Sequence, residues 1–204
     1  MADLMDLLRG QLTPEALEGL SEHTGINDVE KTANASNAIL AFLTKALAKN
    51  TSTPQGASSL LGALNRDHDG SVLDDVVGLL TGNMSGNYGS KTMNGIGILG
   101  HLLGARQNFV VEAIAKMTGL HQNQTAMLMI RLAPMVLGLL GKKKKEENLN
   151  EGGLSDLLSN SVQRRETNQD QNILSRILDR DNDGSAMDEI ASMGMKALGS
   201  FLFR

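Results

Sequence analysis

The chain has no cysteine, no tryptophan, one tyrosine, four phenylalanines and three prolines in 204 residues. Without cysteine there can be no disulfide and no thiolate metal site, a usage compatible with a reducing compartment. Aromatics are 2% of the chain against 41% apolar residues, so a core must be built from Leu, Ile, Val, Ala and eleven Met. That palette favours helices over sheets. The opening MADLMDLLRG has acids where a secretory leader would have a basic region and a long apolar run. It does not read as a signal peptide, and a cytoplasmic location is expected. Long apolar runs are also missing. Thr125 to Leu140, about sixteen residues interrupted by Arg131 and Pro134, falls short of the roughly twenty that a membrane span needs and reads as a buried helix. A net charge of −4 offers no global field to nucleic acid, which is not an expected partner.

What the chain does have is a twelve-residue stretch that occurs twice, NRDHDGSVLDDV at 65–76 and DRDNDGSAMDEI at 179–190. Arg, Asp, Asp, Gly, Ser and Asp recur at matching places, and the remaining positions are conservative exchanges. Oxygen ligands at loop positions 1, 3 and 5, a glycine at 6 and a backbone carbonyl at 7 are what an EF-hand loop supplies to Ca²⁺. The first loop would use Asn65, Asp67, Asp69 and the Ser71 carbonyl; the second would use Asp179, Asp181, Asp183 and the Ser185 carbonyl. Gly70 and Gly184 permit the positive φ that folds such a loop. Position 12, a bidentate glutamate in the standard hand, is Val76 or Ile190. Asp74 and Asp75, and Asp188 and Glu189, stand just before it and could close a shortened loop. The expected cofactor is Ca²⁺, with Mg²⁺ as the alternative ion. A second reading of the same residues is a turn and a helix start, because Ser71 with Asp74 and Ser185 with Asp188 match a capping box.

A second similarity lies upstream, where Leu4–Ile26 aligns without gaps to Ile98–Leu120, bringing Gly10 to Gly104 and Thr24-Gly25 to Thr118-Gly119. The expected organisation is all-α, with two related helical halves arising by internal duplication. Residues 1–82 carry one acidic loop, 83–97 form a Gly-rich connection, and 98–204 carry the other loop together with a Lys-rich insertion near 142–153.

Leu4, Leu7 and Leu8 predict a short helix stopping at Gly10. Thr13 caps the next, with Pro14 at its first position, and Asn27 or Asp28 caps a longer one with an apolar stripe at Val29, Ala33, Ala35, Ile39, Phe42, Leu43 and Leu47. Asn50 to Gly56 reads as a loop, followed by helices on both sides of the first acidic stretch. The long helix of the second half should close at Gly141, with Pro134 kinking it or opening one hydrogen bond. After a solvated lysine run, a short helix at Leu154–Leu158 precedes a polar loop from Ser159. Ile173 to Leu178 and an amphipathic stretch from Met193 to Leu202 flank the second acidic loop.

No catalytic constellation is evident. The histidines His23, His68, His101 and His121 are scattered, and His68 is expected to face solvent. Met127, Met129 and Met135 read as core filler. An enzyme is therefore not expected. The readings beside calcium binding are a helix-turn-helix-like regulator, which is thinly supplied with arginine and lysine at the start of its second helix, and a helical scaffold that assembles with a protein partner or with itself.

The segments ILGHLLGARQNFVVEAIAKMTGL and LMIRLAPMVLGLLGKK, together with the DRDNDGSAMDEI loop, resemble the YidB-like family of bacterial proteins. The resemblance implies an all-helical fold with a homeodomain-like helix arrangement. It carries no established activity and no catalytic residue to transfer.

Overall fold

The computed structural model describes residues 3–68, 70–83 and 94–163. Asp69, most of the 83–97 connection and the whole of the second acidic loop, with Asp179, Asp181, Asp183, Ser185, Asp188 and Glu189, lie outside the described residues, as do the segments that flank that loop. Among the described residues all regular structure is helical and there is no strand.

The chain starts with α1 (Leu4–Gln11) and α2 (Pro14–His23). Thr13 Oγ1 accepts from the Ala16 N–H at 3.2 Å, and Pro14 needs no partner at the first helical position. α2 closes at a turn in which Thr24 Oγ1 donates to the Leu20 carbonyl at 2.7 Å and Gly25 takes φ +68°. The Ser21 hydroxyl then accepts from Asp28 N–H, and Asp28 Oδ1 accepts from Lys31 N–H at 2.9 Å to start α3 (Val29–Thr51). Asp28→Ala should cost about 1 kcal/mol, read as a lower midpoint in urea unfolding with an unchanged slope. A loss below about 0.3 kcal/mol would mean that tertiary contacts alone hold this end of α3.

α3 and α4 (Pro54–Asp67) are separated by only Ser52 and Thr53. The expected loop at 50–56 is therefore mostly helix, because Thr53 Oγ1 accepts from Gly56 N–H ahead of Pro54. It is the same Thr-Pro device that starts α2. A 3₁₀ turn (Ser71–Asp75) leads into α5 (Val76–Thr81); beyond the undescribed stretch come α6 (Gly95–Leu103), a 3₁₀ turn (Gly104–Arg106) and α7 (Gln107–Thr118). α7 ends as α2 does. Thr118 Oγ1 donates to the Ile114 carbonyl at 2.8 Å, Gly119 has φ +66°, and Leu120 N–H bonds back to Ala115 as Ile26 does to Ser21.

α8 (Gln122–Glu147) runs seven residues past the expected end. Gly141 does not stop it because Lys143 pairs with Glu146 and Glu147 on the next turn, and the helix closes only at Asn148, left-handed with φ 49°. By length and composition α8 could cross a membrane, but 72% of its apolar window is covered by other helices, as befits a core element. The chain continues into α9 (Glu151–Gln163), longer than the short helix expected there.

α3 is the hub. It packs most extensively on α8 and α9 and also touches α1, α2, α4, α6 and α7. Ile39, Leu40, Phe42 and Leu43 from α3 meet a core that includes Leu128, Met129 and Leu132 of α8 and Leu154 and Leu158 of α9, all at most 1% exposed. Val29, placed on the stripe by its spacing, is 41% exposed because it sits at the first turn, before the neighbouring helices close over α3. Helices from both sides of residues 83–97 thus belong to one compact unit, which extends to Glu166. The two Thr-Gly turns also meet: Gln124 Nε2, just after the second, donates to the Gly25 carbonyl of the first at 2.8 Å, and Lys31, just after the first, lies 3.9 Å from where a Gly119 Cβ would be.

Candidate functional site

The first acidic loop lies across the C-terminal half of α8, and glycines on both partners allow it. Gly70, with φ +97°, faces Lys142, whose Cβ would be 2.9 Å from any Cβ added there. One turn earlier on α8, Gly138 leaves room for Val72, which is fully buried; a Cβ at 138 would collide with its Cγ2. His68 is consequently 4% exposed, contrary to the expectation that it faces solvent, because the loop is pressed onto a helix and not extended into water.

The sequence-assigned ligands are distributed as follows. α4 continues through Asp67, so Asn65 and Asp67 are both helical, and residues two apart on a helix point about 200° away from each other. Asn65 Oδ1 accepts from Lys144 Nζ at 2.5 Å, whereas the Asp67 carboxylate lies 4.0 Å from Arg66 Nε. The Arg66 side chain is 71% exposed, so that ion pair is weak. Ser71 opens the 3₁₀ turn, Asp74 is exposed, and Asp75 caps α5 by accepting from Gly78 N–H at 2.8 Å. The stretch is a turn and a helix start, but its cap is Asp75 and not the box of Ser71 with Asp74 that the sequence suggests, because the helical start falls four residues later and the 3₁₀ turn before it opens at Gly70 without a side-chain cap. Among the described residues no three His, Asp or Glu side chains gather within reach of one ion. In this conformation Asn65 and Asp67 do not converge, and a cation that used both would require the last turn of α4 to open. The helix on each side of the loop, expected from the sequence, is present.

One lysine of α8, Lys144, occupies the first donor that the sequence reading assigned to an external cation. The run 142–145 stays at the surface as expected, with Lys142 and Lys145 exposed; the Lys142 backbone and Cβ lie under Gly70, Lys143 pairs with Glu147 at 2.9 Å, and Lys144 reaches Asn65. Nothing in the local sequence points to this, since Lys144 and Asn65 are 79 residues apart. The helices named for nucleic-acid docking, α3 and α8, bury their later turns in the core and pack on each other, while their first turns, at Val29 and Glu30 and at Gln122 and Asn123, are exposed.

Comparison with known families adds one match. Residues 6–143 fit the family described as a bacterial protein of unknown function (DUF937). The chain belongs to the DUF937 family. The DUF937 region begins within α1, takes in the first acidic loop and both Thr-Gly turns, and ends at Lys143 on α8. It stops short of α9 and the second acidic loop, and it agrees with the YidB-like resemblance of the same segments. No curated protein and no solved structure matches the chain.

Proposed function

We propose that this DUF937 protein is a non-enzymatic, calcium-binding helical protein, with a structural or switching role. We read it as two related halves whose stronger ion site is the loop at 179–190. The observation that carries the ranking is Lys144 Nζ on Asn65 Oδ1. A positively charged group already sits on the first donor of the earlier loop, so an ion there must displace an ammonium and unwind the end of α4. The later loop begins instead with the charged Asp179, and affinity in such loops rises with ligand charge. The reciprocal approach of the two Thr-Gly turns, Gln124 to Gly25 and Lys31 to Gly119, supports the reading of related halves. In a cytoplasmic setting an occupied site needs an affinity of about 10⁻⁷ to 10⁻⁵ M.

Calcium at a hundredfold excess over its Kd should stabilise the fold by about 2.7 kcal/mol, and EDTA should remove the gain. Identical melting curves in millimolar Ca²⁺ and in EDTA would reject the proposal. Titration calorimetry tests the ranking. Asp181→Ala should abolish the tighter phase and Asp67→Ala the weaker one, while Asn65→Asp and Lys144→Met should each tighten the weaker phase. Equal affinities in the wild type, or a Lys144→Met protein that titrates like the wild type, would show that the lysine does not compete. Mg²⁺, which demands near-octahedral geometry, should bind more weakly in the same titration.

A further inference from the structure

Separate from the ion loops, the exit of α5 and one face of α8 flank a half-open pocket of about 210 Å³ lined by Leu79, Gly82, Met127, Ile130, Arg131 and Pro134. The α8 residues are spaced i, i+3, i+4 and i+7, so they form one continuous strip. Five of the six lining residues carry no polar side chain; the sixth is a guanidinium. Gly82, with φ +79°, is what lets that guanidinium lie across the end of α5: a Cβ there would collide with Arg131 Nη1 and stand 3.1 Å from its Cζ. No Asp or Glu among the described residues pairs with Arg131, and no hydrogen bond to it is formed by the neighbouring helix end. Gly82 N–H and Asn83 N–H both close back on the Gly78 carbonyl, and Thr81 Oγ1 donates to Val77. Partial burial accordingly lowers the pKa of Arg131 from the ordinary arginine value, which marks a cation that has lost part of its water without gaining a counter-charge among the described residues. Such a group gains more from an incoming anion than a solvated one would.

We propose that this pocket is a binding site for a small monocarboxylate with a short apolar body, its carboxylate on the Arg131 fork and its chain against Met127, Ile130, Leu79 and Pro134. Charge count selects the headgroup. One guanidinium matches one carboxylate in a two-bond fork, whereas a phosphate dianion would leave a second charge facing apolar walls. Size selects the body, because the volume lies below the roughly 300 to 1,000 Å³ of sites for drug-sized ligands and suits a chain of about six carbons.

The test uses the full chain in EDTA, so that its outcome is separate from that of the calcium proposal. Hexanoate is titrated while the Met127 methyl resonance is followed by NMR, with Met127→Leu providing the assignment. Hexan-1-ol supplies the tail without the charge, and inorganic phosphate the charge without the tail. The expected result is a saturable shift with hexanoate, about tenfold or more weaker binding of hexan-1-ol, and no shift with phosphate. Arg131→Met, which keeps the length of the stem, should lose the preference for hexanoate over hexan-1-ol, and Arg131→Lys should keep part of it. Equal affinity of the wild type for hexanoate and hexan-1-ol overturns the proposal without reference to any variant. So do a phosphate affinity matching that of hexanoate, unchanged hexanoate binding by Arg131→Met, and no saturable shift up to roughly 10 mM, the range open to so few ligand atoms.

Discussion

Gly95→Val should destabilise the protein by about 3 kcal/mol or more. The reason is a pairing between two residues that both break helix rules. Pro134 has no N–H for the Ile130 carbonyl, yet α8 continues through it. The first turn of α6 is laid against that carbonyl, and a Cβ at position 95 would collide with the Ile130 oxygen and stand 2.7 Å from its carbon. Both atoms belong to the backbone of a buried helix, so no rotamer change relieves the clash. α6 would have to move, withdrawing its positive N-terminal end from a carbonyl that lacks a helical donor. For a unit of this size the thermal midpoint should fall by roughly 6 to 12 °C. Gly100, in the same helix with nothing within 4 Å of its absent Cβ, is the control: Gly100→Ala should raise stability by about 0.5 to 1 kcal/mol. A Gly95→Val protein melting within about 2 °C of the wild type would show that α6 can be repositioned at little cost.

Phe42→Ala should cost about 3 to 5 kcal/mol in chemical denaturation. Phe42 is the largest fully buried side chain among the described residues, on the helix that touches most of the others, in a chain with only four phenylalanines to fill such a site. The helices around α3 are held by neighbours on their far sides and cannot all collapse into the space. Against a typical total stability of about 5 to 15 kcal/mol, this loss would bring the variant close to its unfolding threshold. Val29→Ala, on the same stripe by spacing but 41% exposed, should cost no more than about 0.5 kcal/mol. If the two variants cost the same, the placement of α3 at the centre is wrong.

The contrast between Phe42 and Val29 shows which parts of this fold could be read from the chain. Local chemistry was legible wherever a residue acts on its own neighbourhood. Thr13 with Pro14, Asp28, and the Thr-Gly turns do what their types predict. Thr53 with Pro54 carries the same signal as Thr13 with Pro14, but the surrounding Ser, Thr and Asn made it look like a loop. Gly141 was misleading as a helix stop. The Lys143–Glu147 pair was the better guide, since salt-bridge spacing persists only while a helix does. What could not be read is whatever depends on residues far apart in the chain: Lys144 on Asn65, the burial of His68, Gly95 under Ile130, and Gly82 under Arg131. The EF-hand spacing specifies a sequence of oxygen donors, but helical phase decides where they point, and α4 carries two of them past the place where they would meet.

The position of α3 also bears on how the chain is made. Its broadest partners, α8 and α9, follow it in the sequence, and α9 is complete only about 110 residues after α3 ends. At the usual pace of synthesis, about 5 to 20 residues per second, the face that carries Ile39, Phe42 and Leu43 waits roughly 6 to 22 seconds for its full cover. During that interval the nascent chain displays a sticky helix whose two broadest partners are not yet made, with only α1, α2 and the helices that follow it in turn to cover part of it. Holding chaperones, or a second nascent chain, would find their largest target there.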